Sequence, residues 1–197
     1  MRSVQAYALH WLSPLSKSEV ECRNAVNHVI QTIELASLLS AEHVIAVVCY
    51  GEPGVADPDR RAVAMLRALA KQAKDRGITI GLEPLDAKRT SYRPTSTEVR
   101  ELVKAVNDEH LKLMLDTGHL WENKENIMEV LEKFGNECSE IHLKDSESRA
   151  PGLGTIDFEP VRETCARLKA LKCLEYRPSK DPWHDFQRAL ETVGVPK

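Results

Sequence analysis

Residues 111–145 read LKLMLDTGHLWENKENIMEVLEKFGNECSEIHLKD, and this stretch decides the fold. It opens on a short apolar run, Leu111–Leu115, that reads as a strand. An amphipathic helix is expected over Lys124–Phe134, closed by Gly135, and a second strand over Ser139–Leu143. The first run ends on Asp116, with His119 three residues on; the second carries His142, with Asp145 just beyond. Strand, helix, strand with polar chemistry at both strand ends is the unit from which the rest of the chain is built.

The same alternation runs outward in both directions. Toward the N-terminus, Val4–Leu9 reads as a strand, Ser18–Leu39 as a helix and His43–Cys49 as a strand that stops at the loop Gly51–Gly54. Pro58–Arg76 reads as a helix ending at Gly77, Ile78–Leu82 as a strand, and Thr95–Asn107 as a helix with Thr95 or Ser96 as its N-cap. Toward the C-terminus, Phe158–Leu171 is expected to be helical, Lys172–Glu175 a short strand and Asp181–Val193 the closing helix. Strands that alternate with helices predict a parallel sheet with right-handed crossovers, in one domain over 1–197. No GxGxxG or Walker pattern follows any strand, so nucleotide-binding open sheets gain no support. Candidate chemistry at the ends of four different strands favours a parallel (β/α) TIM-type barrel, here with six strands and therefore incomplete.

Composition narrows the class. A 197-residue chain with 42% hydrophobic and 29% charged residues can bury a core of its own. A net charge of −3 offers no basic field for nucleic acid or anionic membrane, and no apolar run approaches a membrane span. The cysteines, Cys22, Cys49, Cys138, Cys165 and Cys173, never form a CxxC pair, which argues against both a disulfide framework and a thiolate zinc site. A cytoplasmic home follows as the default.

Four strands each deliver a metal-capable residue at or near the C-terminal end: Glu83 in GLEPL, Asp116 in LMLDTGH, His142 in IHLKD and Glu175 in CLEYRP. One imidazole with three carboxylates is a mostly hard donor set. It suits a single Mn²⁺, Mg²⁺ or Co²⁺ better than structural zinc, while Zn²⁺ stays compatible.

Taken in order and at these separations, GLEPL, LDTGHL, IHLKDS, PGLGTIDF and CLEYRP resemble the xylose isomerase-like barrel superfamily, over most of the chain. The resemblance implies a metal-dependent sugar or sugar phosphate isomerase or epimerase acting on a small-molecule substrate. It implies metal binding by Glu83, Asp116, His142 and Glu175, and substrate contacts from His119 and Arg149. Asp145 is a further candidate, either orienting His142 or binding substrate, and Gly152 and Gly154 resemble the family's tight GxGxID turn. The implied chemistry is proton removal beside a carbonyl through an enediolate, with Glu83 and Glu175 on opposite faces of the reacting carbon.

Full-length members have eight strands, and the comparison sets Val4–Leu9 at the third. The first two strand–helix units are therefore expected to be lacking, and a second copy of the chain closing the open barrel is one explanation. Two other readings compete. An endonuclease IV-like phosphodiesterase would need extra histidines, yet Tyr50 stands at the end of VVCYG and SESRAPG replaces the DRH-type motif. A truncated, non-catalytic barrel that only binds ligand would not need two carboxylates around one carbon.

Overall fold

Strand β1 (Ser3–Gln5) pairs in parallel with β2 (His43–Ala46), β2 with β3 (Thr79–Leu82), and β3 with the start of β4 (Leu111–Asp116). The register sets Val4 beside Val44, Val44 beside Ile80 and Leu82 beside Leu113. Consecutive parallel strands need long crossovers. These are helices α1 (Glu19–Leu38), α2 (Pro58–Lys74) and α3 (Ser96–Val106). The computed structural model describes residues 1–194. It divides the chain into two compact units, Met1–Met114 and the part from Leu115 onward.

Helix starts in the first unit follow from capping chemistry. Ser18 accepts a hydrogen bond from Glu21 N, and Asp57 accepts from Arg60 N ahead of Pro58. Thr95 and Glu98 form a reciprocal capping box, at 3.3 Å and 3.0 Å. Val99, Leu102 and Val106 then turn inward along one helix face. At the other end of α2, Gly77 adopts a φ of +67°, which a side chain would oppose.

The second unit holds the end of β4, then α4 (Thr117–Glu122), α5 (Ile127–Phe134), β5 (Cys138–Leu143), α6 (Phe158–Arg167), β6 (Leu171–Leu174) and α7 (Pro182–Val193). Every residue of β5 is buried, as expected for a parallel strand covered on both faces. β5 pairs in parallel with β6, and His142 sits beside Cys173. β6 takes its ladder from β5 and is only half-buried. Over it lies a groove of about 680 Å³ lined by Phe158, Val161, Cys165, Leu174 and Leu190, among others. Among the described residues, six strands alternate with helices and pair in parallel, giving the β/α pattern of a TIM-type barrel expected from sequence.

Several boundaries differ from expectation. β1 stops at Gln5 because Ala6, at φ −76° and ψ 67°, leaves the extended region after donating to Ile45 O. Tyr7–His10 form a 3-10 turn instead, with Leu9 buried and Tyr7 57% exposed. β2 ends at Ala46, although Val47–Cys49 stay buried. Helix α4 was not anticipated, and α5 begins at Ile127, where Asn126 caps it. α6 ends at Arg167 because Leu168 is extended, at φ −90° and ψ 144°.

Candidate metal centre

Asp116 closes β4 and caps α4. Its Oδ1 accepts from Gly118 N at 2.8 Å and His119 N at 3.1 Å, which fixes the carboxylate plane and leaves Oδ2 turned the other way. Oδ2 lies 2.6 Å from Lys144 Nζ and 3.9 Å from His142 Nδ1. Gly118 makes the approach of Lys144 feasible: a Cβ there would come within 2.9 Å of Lys144 Cε. Thr117 ties the same corner down, its Oγ1 donating to Lys144 O at 2.7 Å.

His142 comes from the buried strand β5, where alternate residues share a face. Its two ring nitrogens have different neighbours. Nε2 is 3.0 Å from Glu140 Oε1, while Nδ1 is 3.4 Å from Glu175 Oε2. Glu175 follows β6 by one residue, and its backbone N–H points to Leu143 O at 3.4 Å. The Glu175 carboxylate also accepts from Lys144 Nζ at 2.8 Å. Burial pushes the Glu175 carboxyl up, but the His142 ring 3.4 Å away and the nearby Lys144 ammonium outweigh this and hold it well below the usual carboxylate range.

Thus three of the four expected ligands, Asp116, His142 and Glu175, converge in the second unit, with donor atoms within 4.8 Å of one another. Two carboxylate oxygens and an imidazole nitrogen form a set that a divalent cation can take. Glu83 belongs to the first unit. It follows β3 directly, is 4% exposed, and its N–H donates to Ala46 O at 2.9 Å.

The residues expected on the substrate side fall into three different settings. His119 is buried in α4, 4% exposed. Arg149 is exposed, its guanidinium on Glu147 Oε2 at 2.5 Å and Leu153 O at 3.2 Å. Asp145 is fully buried and accepts from four backbone amides: Ser146 and Ile156 on Oδ1, Gly152 and Gly154 on Oδ2, all at 2.7–3.0 Å. Those contacts make Asp145 the anchor of the loop that contains PGLG. A side chain at Gly154 would collide with the Asp145 carboxylate, its Cβ only 2.3 Å from Oδ1, so the loop needs glycine at that point.

Glu140 was missed by sequence reasoning. A signal existed, because Glu140 and His142 stand two residues apart in β5 and so share one strand face. Every residue of β5 is buried, so burial alone does not declare which face is chemical.

A family profile described as xylose isomerase-like TIM barrel matches residues 3–193. The L-ribulose 3-epimerase of Methylomonas sp. (strain DH-1) is 30% identical over 127 residues, 64% of this chain and 42% of that protein. The D-psicose 3-epimerase of Enterocloster bolteae is 29% identical over 101 residues, 51% of this chain and 34% of that protein. An inosose dehydratase of Clostridium botulinum (strain Alaska E43 / Type E3) is 27% identical over 110 residues, covering 45% and 37%. The chain therefore spans well under half the length of these relatives. Among solved structures, the 3-keto-D-glucoside 4-epimerase of E. coli superimposes with a TM-score of 0.83 at 17% identity, over 93% of this chain and 75% of that one. D-allulose 3-epimerase from Methylomonas sp., in complex with D-allulose, gives 0.80 at 18% over 92% and 72%. The IOLI protein, solved with a zinc atom, gives 0.74 at 18% over 98% and 74%. With a family profile that covers nearly the whole sequence and a matching β/α fold, the chain belongs to the xylose isomerase-like TIM barrel family.

Proposed function

We propose that this chain carries the catalytic centre of a metal-dependent sugar or sugar phosphate epimerase or isomerase. The observation that carries the reading is the convergence of Asp116 Oδ2, His142 Nδ1 and Glu175 Oε2, in a family whose relatives include sugar 3-epimerases. Glu83, at the end of its own strand, is the proposed fourth ligand. Mn²⁺, Mg²⁺ or Co²⁺ fits this oxygen-rich set best, and the zinc of the IOLI protein keeps Zn²⁺ in the comparison. When bound, such an ion supplies Lewis acidity that makes the C–H between a carbonyl and a hydroxyl more acidic.

The chain's own residues then divide the work. Glu83 and Glu175 remove a proton from that carbon and return one, to the other face for epimerisation or to the neighbouring carbon for isomerisation. His119 and Arg149 contact the sugar in this reading, while Asp145 holds the loop before α6 in place through its four amide contacts. All five cysteines are free, in keeping with a reducing cytoplasm.

Metal content by mass spectrometry, on protein purified without chelator beside His142→Ala, tests the site. About one ion per chain, lost in the variant, is expected from a single set of ligands. Solvent deuterium entering a ketose beside its carbonyl, and failing to enter with Glu175→Gln, tests the chemistry. No metal uptake when Mn²⁺ is supplied would refute the reading. The inosose dehydratase relatives favour one second reading, in which the same proton removal is followed by loss of a hydroxyl. Product NMR separates the two, since only dehydration changes the composition of the sugar.

A further inference from the structure

Glu140 is 0% exposed in the middle of β5, two residues before His142 on the same strand face. A buried carboxylate is costly unless it is paired, and an apolar residue would fill a strand interior at no such cost. Its Oε1 lies 3.0 Å from His142 Nε2. An ionised carboxylate only accepts hydrogen bonds, so the proton between these atoms belongs to Nε2. The other ring nitrogen, Nδ1, is then the one left to serve as a ligand. It is also the nitrogen that faces Glu175 Oε2 and Asp116 Oδ2, at 3.4 Å and 3.9 Å.

We propose that Glu140 is a positioning residue of the metal centre: it keeps the proton of His142 on Nε2 and aims Nδ1 at the ion. The proposal rests on the metal reading of the site, and it assigns a role to a residue that takes no part in ligation itself. A carboxylate behind a metal-bound histidine fixes ring orientation and raises ligand basicity, and its loss characteristically weakens binding 10- to 100-fold. Glutamine keeps a carbonyl oxygen that can accept from Nε2–H, while leucine keeps the volume and nothing else.

There is a rival arrangement of the same atoms. Glu140, His142 and Cys173 also bring donor atoms within 4.8 Å of one another, Cys173 being the neighbour of His142 in the β5–β6 register. A thiophilic ion held there would make Glu140 a ligand. Positioning is the better account because the Glu140–His142 distance is already that of a hydrogen bond and Cys173 is opposite His142 without being needed for it.

Two measurements on the full chain decide it. In ¹⁵N-histidine-labelled, metal-free protein, a His142 Nε2–H proton slow to exchange with water is expected in wild type and in Glu140→Gln, and lost in Glu140→Leu. Calorimetric titration with Mn²⁺ should show affinity falling 10- to 100-fold in Glu140→Leu and by only a few-fold in Glu140→Gln. An unchanged Mn²⁺ affinity in Glu140→Leu overturns the proposal. So does a wild-type His142 with no protected Nε2–H. Should Glu140→Leu fail to fold, Glu140→Gln and Glu140→Met stand in for the pair. Titration with Co²⁺ settles the rival: a second equivalent with a thiolate charge-transfer band, abolished by Cys173→Ser, would make Glu140 a ligand and overturn positioning. If wild type takes up no ion, the metal reading falls, while the protected proton still decides whether Glu140 holds the ring.

Discussion

Lys144 Nζ donates to Glu175 Oε2 across 2.8 Å and stands 2.6 Å from Asp116 Oδ2, so one ammonium bridges two of the proposed metal ligands. The Lys144 side chain is 7% exposed and that of Glu175 34%. Without a cation, two converging carboxylates would repel each other, and Lys144 supplies that cation from within the fold.

Lys144→Met should therefore destabilise the protein in chelator by about 3 kcal/mol, the low end for a buried pair because Glu175 is partly solvated. It should also enlarge the rise in Tm on adding Mn²⁺, since a divalent ion no longer has to displace or repel the lysine. Denaturant unfolding in EDTA and thermal scans with Mn²⁺ read both effects. Unchanged stability in EDTA would show that the bridge contributes nothing.

Gly118→Ala probes the same bridge from its other side. Its new methyl would come within 2.9 Å of Lys144 Cε and 3.0 Å of Cγ, forcing the stem to move. We expect it to reproduce the larger Mn²⁺ shift of Lys144→Met while keeping every charge. A variant that behaves as wild type in both media would mean the stem has room to yield.

Asp145 binds four backbone amides with two oxygens, which makes its substitution diagnostic. Asn presents one acceptor oxygen and one donor NH₂, so two of the four amides would face a donor. Asp145→Asn should cost about 2–3 kcal/mol by denaturant unfolding, and Asp145→Ala more. Limited proteolysis should cut first within 150–156. Equal stability of wild type and Asp145→Asn would remove the anchoring role.

A smaller effect is expected at acid pH in the first unit. Arg93 donates to Asp59 at 3.0 Å and 2.7 Å, and Tyr92 Oη donates to it at 2.9 Å. The Arg93 hydrogen bond is the main reason the Asp59 carboxyl lies below its usual value, against a weaker upward push from burial. A carboxyl lowered in the folded state adds stability above its unfolded value of 3.8, and that stability is lost as pH falls through the folded value. Asp59→Asn should lose less stability than wild type as pH falls below about 5, by under about 1 kcal/mol because the Asp59 side chain is 56% exposed. Parallel acid dependence in the two proteins would contradict this.

How much of this was legible beforehand depended on the kind of interaction. Helix starts depend on neighbours in sequence, so Ser18, Asp57, Thr95 and Asp181 could be placed within a residue or so of their observed helices. The strand ends were legible for a similar reason. Apolar runs stop where the chain meets polar loops, and Asp116 and His142 stand there in the structure. β1 was read too long because alternation continues through Leu9, whereas the ladder stops at Ala6 for want of extended backbone. Helix α4 was invisible to periodicity, being six residues long and fixed by the Asp116 carboxylate on two amides.

Sequence by itself determined the β/α order, the parallel sheet, and which residue types stand at the strand ends, because those follow from local pattern and the length of apolar runs. Only the tertiary structure decided what each side chain does there. Glu140, Lys144 and Asp145 are all buried acids or bases near one strand, yet one faces His142 Nε2, one bridges Asp116 and Glu175, and one holds a loop. Their roles depend on partners up to 31 residues away, as for Lys144 and Glu175. A buried charge is defined by what neutralises it, and that partner is set by chain crossovers rather than by its neighbours in sequence.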